Sequence, residues 1–313
     1  MKTSKLFLAT TLLAILPLAL HAKIVRVVEK TFTVQPDGLL TVETQGGNIR
    51  VETADQTTVK VVATQTIKAS SESEADSLLE KLTLTIEQQG QGVTATSKYE
   101  KKPSGLNWGS WPPVQVNFVV TVPSHYNVKV KTSGGDISVD DLMGKVYART
   151  SGGNVTLGKI SQDVDAGTSG GDVRLNEGLA SVKLSTSGGN ITVERAIGAT
   201  DLDTSGGDIR IGSVENTVHA STSGGNVTAG IVGAFKGDCV LDTSGGNVRA
   251  NVSRDATFNL DASTSGGDVK AEGLTITIEK GGSGRSRLVG KVNGGGPLLK
   301  LRSSGGDVSV VTR

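Results

Sequence analysis

Thr168-Ser-Gly-Gly-Asp-Val-Arg-Leu-Asn-Glu-Gly-Leu-Ala-Ser-Val-Lys-Leu-Ser185 is followed at once by Thr186-Ser-Gly-Gly-Asn-Ile, so the same corner returns after one short lap of chain. The motif Thr-Ser-Gly-Gly-Asp/Asn-Ile/Val opens at Thr132, Thr150, Thr168, Thr186, Thr204 and Thr222, always 18 residues apart. The step then lengthens to 21 for Thr243 and Thr264, and a Ser-Ser-Gly-Gly-Asp-Val variant opens at Ser303. Self-similarity at a fixed short period marks a solenoid, in which each repeat buries its apolar face only by stacking on its neighbours.

Within the unit, Val173 and Leu175 alternate with Asp172 and Arg174, and Val182 and Leu184 alternate with Ser181, Lys183 and Ser185. Each stretch is a period-two strand, so one repeat supplies two strands, a fixed corner and a variable one. Carried forward, the alternation turns the motif threonine inward, where its hydroxyl is expected to satisfy backbone groups of the corner. The corner glycines are the pairs Gly134 and Gly135, Gly152 and Gly153, Gly170 and Gly171, Gly188 and Gly189, Gly206 and Gly207, and Gly224 and Gly225. Two reasons for them are expected: a tight turn needing positive φ, and stacked corners with no room for Cβ atoms. The predicted fold is all-β, a parallel β-helix of 18–21 residues per coil. At about 4.8 Å per rung, nine or ten coils give a rod of roughly 40–50 Å.

The fifth motif position reads Asp136, Asn154, Asp172, Asn190, Asp208, Asn226, and the alternation stops at Asn247. On an outer corner this keeps carboxylates about 10 Å apart with an amide between them. Two residues on, Arg174 and Arg210 accompany aspartate while Thr156, Thr192 and Thr228 accompany asparagine.

Solenoid ends must be covered. Residues 23–130 read as an N-terminal α+β cap and 131–313 as the repeat domain, although Thr44-Gln-Gly-Gly-Asn-Ile-Arg-Val51 is already a degenerate motif. Ser71-Glu-Ser-Glu74 reads as a capping box, followed by Ala75, Leu78, Leu79 and Leu82 at helical spacing. Val114, Val116, Phe118, Val120 and Val122 alternate as a strand. Between them lie Trp108 and Trp111, which fit either a hydrophobic plug or a sugar-stacking loop. At the other end, Gly281-Gly-Ser-Gly284 and Gly294-Gly-Gly296 read as worn repeats. Lys280, Arg285, Arg287 and Lys291 form a basic loop cluster that could meet an anionic glycan or head group.

Lys2 and Lys5, the uncharged run Leu6–Leu20 and Leu20-His-Ala22 read as a secretory signal peptide over residues 1–22, with no membrane-spanning segment expected after its removal. The expected location is outside the cytoplasm: periplasmic, at the cell surface, or secreted. Cys239 is the one cysteine, so no internal disulfide forms. A net charge of +1 removes the electrostatic argument for nucleic acid. His125 and His219 fall in unrelated places, and no His/Cys/carboxylate cluster has metal-ligand spacing. A calcium β-roll would place carboxylates on both edges, whereas here one edge carries the motif and every second acid is an amide. No catalytic residue, metal or cofactor is expected.

The tandem Thr-Ser-Gly-Gly-Asp-Ile string, the lead-in ending Val120-Thr-Val-Pro123 and the closing Gly294-Gly-Gly-Pro-Leu298 to Gly305-Gly-Asp-Val308 resemble the bacterial "putative adhesin" family of β-strand-repeat proteins. The resemblance implies a right-handed single-stranded β-helix and adhesion, and supplies no catalytic residues. The reading is an exported, non-enzymatic interaction module for a glycan, envelope polymer or protein, with Trp108, Trp111, Arg285 and Arg287 as candidate contacts. The alternatives are a structural or stress-linked periplasmic protein, and a polysaccharide-acting enzyme. The last would need Asp140, Asp141, Lys159, Asp163, Glu177, Glu194 and Arg195 to converge in a groove.

Overall fold

The computed structural model describes residues 23–100 and 112–313, so the expected signal peptide, Trp108 and Trp111 lie outside the described residues. The repeats form two long, mostly parallel sheets facing each other across one core. The leading sheet holds the strand that runs into each Gly-Gly corner, such as Val182–Thr186, and the trailing sheet the strand that leaves it, such as Ile191–Ala196. Apolar columns stack in register: Val155 on Val173 on Ile191 on Ile209, and Val146 on Val164 on Val182. Both inner faces are shut from water, with Val173, Ile191 and Ile209 at 0 % exposure. Burying such a side chain contributes about 1.5–3 kcal/mol, so a thin core suffices when each coil adds several.

The cap extends these sheets. In the trailing sheet, Val114–Pro123 lies parallel to Ile49–Ala54, and Thr58–Ile67 and then Ile24–Thr33 add antiparallel strands beyond it. In the leading sheet, Gly92–Tyr99 lies parallel to Leu39–Thr44, and Leu82–Gln89 follows antiparallel. The helix Glu72–Leu79 buries Ala75, and Ser71 Oγ accepts the Glu74 N–H at 3.2 Å. Glu74 closes the box one residue earlier than expected, accepting the Ser70 N–H at 2.8 Å.

Two sequence expectations need correction. First, none of the motif glycines has positive φ; Gly90, Gly233, Gly273, Gly294 and Gly295 do. The second glycine of each corner is dictated by stacking instead. A Cβ on Gly153 would lie 2.2 Å from the Gly135 carbonyl oxygen, and one on Gly189 2.0 Å from that of Gly171. Farther along the same column, a Cβ on Gly207 would lie 2.1 Å from the Gly189 oxygen, and one on Gly225 2.1 Å from that of Gly207. Second, the late glycine clusters are not worn coils. Ile276–Gly284 and Arg287–Val292 form an antiparallel hairpin against Phe258–Thr264, and Gly294–Gly296 belong to a strap crossing the start of that strand.

Coils also stack out of chain order at both ends. The coil of Leu39–Thr44 and Ile49–Ala54 has the strands Gly92–Tyr99 and Val114–Pro123 on one side and Asn127–Thr132 and Ile137–Val139 on the other. At the far end, the coil of Leu298–Ser303 and Val308–Thr312 is inserted between two earlier ones. Cys239–Thr243 and Val248–Val252 flank it on one side, and Phe258–Thr264 and Val269–Glu272 on the other. Every strand pairing at the insertions is parallel and in register, so among the described residues both edges of each inserted coil are paired.

Candidate functional site

The repeated corner residues build structure. Each motif threonine is 2–8 % exposed, and its hydroxyl joins two coils. Thr186 Oγ1 donates to the Gly171 carbonyl at 2.8 Å and accepts the Gly189 N–H at 3.3 Å. Thr222 Oγ1 repeats the arrangement one pair of coils on, donating to the Gly207 carbonyl at 2.8 Å and accepting the Gly225 N–H at 3.4 Å. The fifth position explains itself in the same way. Asp136 Oδ1 accepts the Asn154 N–H, Asn154 Oδ1 that of Asp172, and Asp172 Oδ1 that of Asn190, at 2.7–2.8 Å. Aspartate and asparagine share that oxygen, which is why either serves. The intervening amide also donates to the acid, Asn190 Nδ2 to Asp172 Oδ1 at 3.2 Å and Asn226 Nδ2 to Asp208 Oδ1 at 3.1 Å. The bond from the Asn226 backbone is the main cause holding the Asp208 carboxyl below its usual range, with Arg210 adding to it.

Coil insertion completes this ladder. In space the column runs Asn226, Asn247, Asp307, Asp268. Two acids therefore become neighbours at its end, where Arg285 Nε donates to Asp268 Oδ1 at 2.5 Å and lowers that carboxyl's pKa. Arg285 thus has a partner in the ladder. Arg287 is exposed in the hairpin beside Ser263, Lys291 sits four residues along the same strand, and the Lys280 side chain lies outside the described residues.

The charged residues of the variable edge form pairs in sequence along the stack. Lys159 Nζ meets Glu177 at 2.9 Å, Arg195 bridges Glu177 and Glu215 at 2.7 Å each, and Asp141 Oδ1 accepts the Lys159 N–H. Lys159, foremost, and Arg195 hold Glu177 below its ordinary pKa. Asp140 lies 3.9 Å from Arg50, and Asp163 is on the leading sheet with Lys145. Asp140, Asp141 and Lys159 line one open groove with Arg50 and Asn176, whereas Glu177, Arg195 and Glu215 continue along the stack as a chain of ion pairs and Asp163 lies apart beside Lys145, so three of the seven residues named from the sequence share a groove and the rest do not join them. His219 Nδ1 lies 3.2 Å from Asp201 on the open face of the leading sheet, far along the stack from His125. Among the described residues no group of three or more His, Cys, Asp or Glu could hold a metal ion.

The outer face of the leading sheet holds a different arrangement. Tyr147 stands beside Lys129 on one neighbouring strand and Asp165 on the other. Arg149 and Lys131 lie 4.7 and 5.8 Å from its ring centroid, distances suited to cation–π attraction. An open groove of about 830 Å³ runs along this face, walled by Tyr147 and by Leu39, which is 43 % exposed. Asp37, Asn127, Lys129, Lys145, Gln162, Asp163 and Asp165 supply its polar lining. Lys145–Asp163 at 3.0 Å and Arg149–Asp165 are paired across strands, so donors and acceptors alternate around an aromatic wall with little net charge. The residues come from four strands and the turns that lead into three of them, spread over more than a hundred positions; each is chemically ordinary in its own segment, and of them sequence reading singled out only Asp163, for a different groove.

The family description Toastrack DUF4097 matches residues 38–311. No curated protein matches the chain. Among solved structures, a "putative lipid binding protein" from Parabacteroides distasonis ATCC 8503 is 13% identical, with 91% of this chain and 96% of that one covered and a TM-score of 0.45. A "putative adhesin" from Parabacteroides merdae ATCC 43184 is 13% identical over 91% and 96% of the two chains, with a TM-score of 0.40. Another from Bacteroides fragilis NCTC 9343 is 13% identical over 92% and 97%, with a TM-score of 0.36. Nothing about function follows from similarities this distant.

Proposed function

The chain belongs to the Toastrack DUF4097 family, and for this member we propose a non-enzymatic role as an exported interaction module that holds an extended glycan or glycan-bearing envelope polymer along its leading sheet. The observation that carries the reading is the groove at Tyr147. Its ring and Leu39 offer apolar walls, and the Lys, Asp and Gln side chains around them can between them donate to and accept from hydroxyl groups, while Asn127 is occupied by the backbone of Asp37, Gly38 and Lys145. Aromatic rings with a polar rim suit a ligand that has one apolar and one hydroxylated side. The rod gives such a polymer a long flat track, on which weak contacts sum by avidity. Export rests on the Lys2/Lys5 start and the uncharged Leu6–Leu20 run.

Protease digestion of the tagged protein on intact cells, against cells with the outer barrier opened, tests location. Digestion on intact cells favours a surface adhesin, and protection until opening favours a periplasmic role. Binding of purified envelope polysaccharide to wild type and Tyr147→Ala tests the site. Loss of binding in a folded variant supports the groove, and equal binding by both removes it.

A further inference from the structure

Residues 298–313 fill a slot between two coils that precede them in the chain, and the insert is fully integrated. Leu299, Leu301, Val308 and Val310 are at 0 % exposure. Its strands pair on both sides, with Cys239–Thr243 and Phe258–Thr264 in one sheet and Val248–Val252 and Val269–Glu272 in the other. The corner bonds run through it too: Ser303 Oγ donates to the Gly246 carbonyl at 2.8 Å, and Thr264 Oγ1 to that of Gly306 at 2.6 Å. Without the insert, the coils on either side would each present two bare parallel strand edges.

All that joins the insert to the preceding hairpin is the strap Asn293-Gly-Gly-Gly-Pro297, which must cross the start of Phe258–Thr264 from one flank of that strand to the other. The strap is tight. Asn293 has φ of 49°, Gly294 96° and Gly295 89°, and Asn293 Nδ2 is tied to the Arg254 and Ala256 carbonyls. Asparagine and glycine are the residues that adopt the left-handed region most readily, and they let the chain fold back within five residues. A short hinge that must double back favours exchange of the element it carries, because an identical element from a second copy restores every contact while the hinge straightens.

We propose that residues 298–313 form an exchangeable donor coil, and that the partner fitting the slot is the same coil of a second copy of this chain. Monomers close the slot with their own coil; a dimer closes two slots reciprocally. The registry is fixed by the Thr/Ser hydroxyl column and the Asp307 rung, so the exchanged dimer has the same ladder as the monomer.

The test uses two full-length chains with different tags, Val240→Cys in one and Lys300→Cys in the other, both in a Cys239→Ala background. Val240 and Lys300 are register partners on adjacent strands, a separation that a disulfide spans. Refolding the equimolar mixture at high concentration is expected to give a 240–300 disulfide between the two tags, identified by peptide mass. The ratio of dimer to monomer should rise about tenfold for a tenfold rise in monomer concentration. A chain carrying both cysteines and oxidised before refolding is expected to stay monomeric. Four residues inserted between Gly294 and Gly295 should lower the dimer fraction by relaxing the strap. Monomers with no cross-tag link at every concentration, or dimers that form equally from the pre-oxidised chain, would overturn the proposal.

Discussion

Gly152 and Gly153 are adjacent, share one corner and differ in what stands above them, so alanine at each should move stability in opposite directions. A Cβ on Gly153 would fall 2.2 Å from the Gly135 carbonyl oxygen and 2.4 Å from its carbon, both backbone. Ordinary contact would require the coils to part by about 1 Å at that corner. Three bonds hold them there: Thr150 Oγ1 to Gly135 O at 2.8 Å, Asn154 N to Asp136 Oδ1 at 2.7 Å, and Ile137 N to Asn154 O at 2.9 Å. Lengthened by that amount, all three leave hydrogen-bond range. At about 0.5–1.5 kcal/mol net each, Gly153→Ala should cost roughly 2–4 kcal/mol. A Cβ on Gly152 meets nothing closer than 3.6 Å, and this glycine does not have positive φ. Gly152→Ala should therefore stabilise by about 0.4–1 kcal/mol through the reduced entropy of the unfolded chain. Urea unfolding followed by circular dichroism gives both values, and amide exchange around residues 130–160 checks that the effect is local, since a solenoid can open in segments. Equal midpoints for the two variants, or a larger loss at Gly152, would refute the stacking account of the corner.

Thr186→Val keeps the shape but strands the Gly171 carbonyl and the Gly189 N–H, and should cost about 1–3 kcal/mol in a thermal melt, while Thr186→Ser recovers most of the loss. Glu177 has a folded pKa below its unfolded value, chiefly through its bond from Lys159. Its contribution is therefore complete above the unfolded carboxylate pKa near about 4.3 and disappears as pH falls through the lower folded value. Glu177→Gln should be less stable than wild type at neutral pH and converge with it in acid, as read from denaturation midpoints across pH. Burial raises the Cys239 thiol pKa, so a disulfide reagent should react with native protein far more slowly than with urea-unfolded protein; equal rates would show the site to be open.

The period of 18, visible from Thr132 to Thr222, was enough to specify the coil, its two strands, the inward threonine and the outward Asp/Asn column. Each depends on bonds between equivalent residues of adjacent coils, so one repeat contains the whole rule. The capped helix at Glu72–Leu79 was legible for a related reason, because capping and apolar spacing act within a few residues. What the repeat does not encode is which coil stacks on which. Equivalent positions in different coils are chemically alike, so Asp268 and Asp307 each carry the right side chain for the rung after Asn247, and only the packed fold places Asp307 there. The same limit hid the groove, whose walls Leu39 and Tyr147 reach one face from two strands that the strand Asn127–Thr132 holds side by side in the leading sheet. Local alternation and spacing are written along the chain; the order of the stack, and every surface assembled from several of its rungs, follows from pairing all strand edges at once.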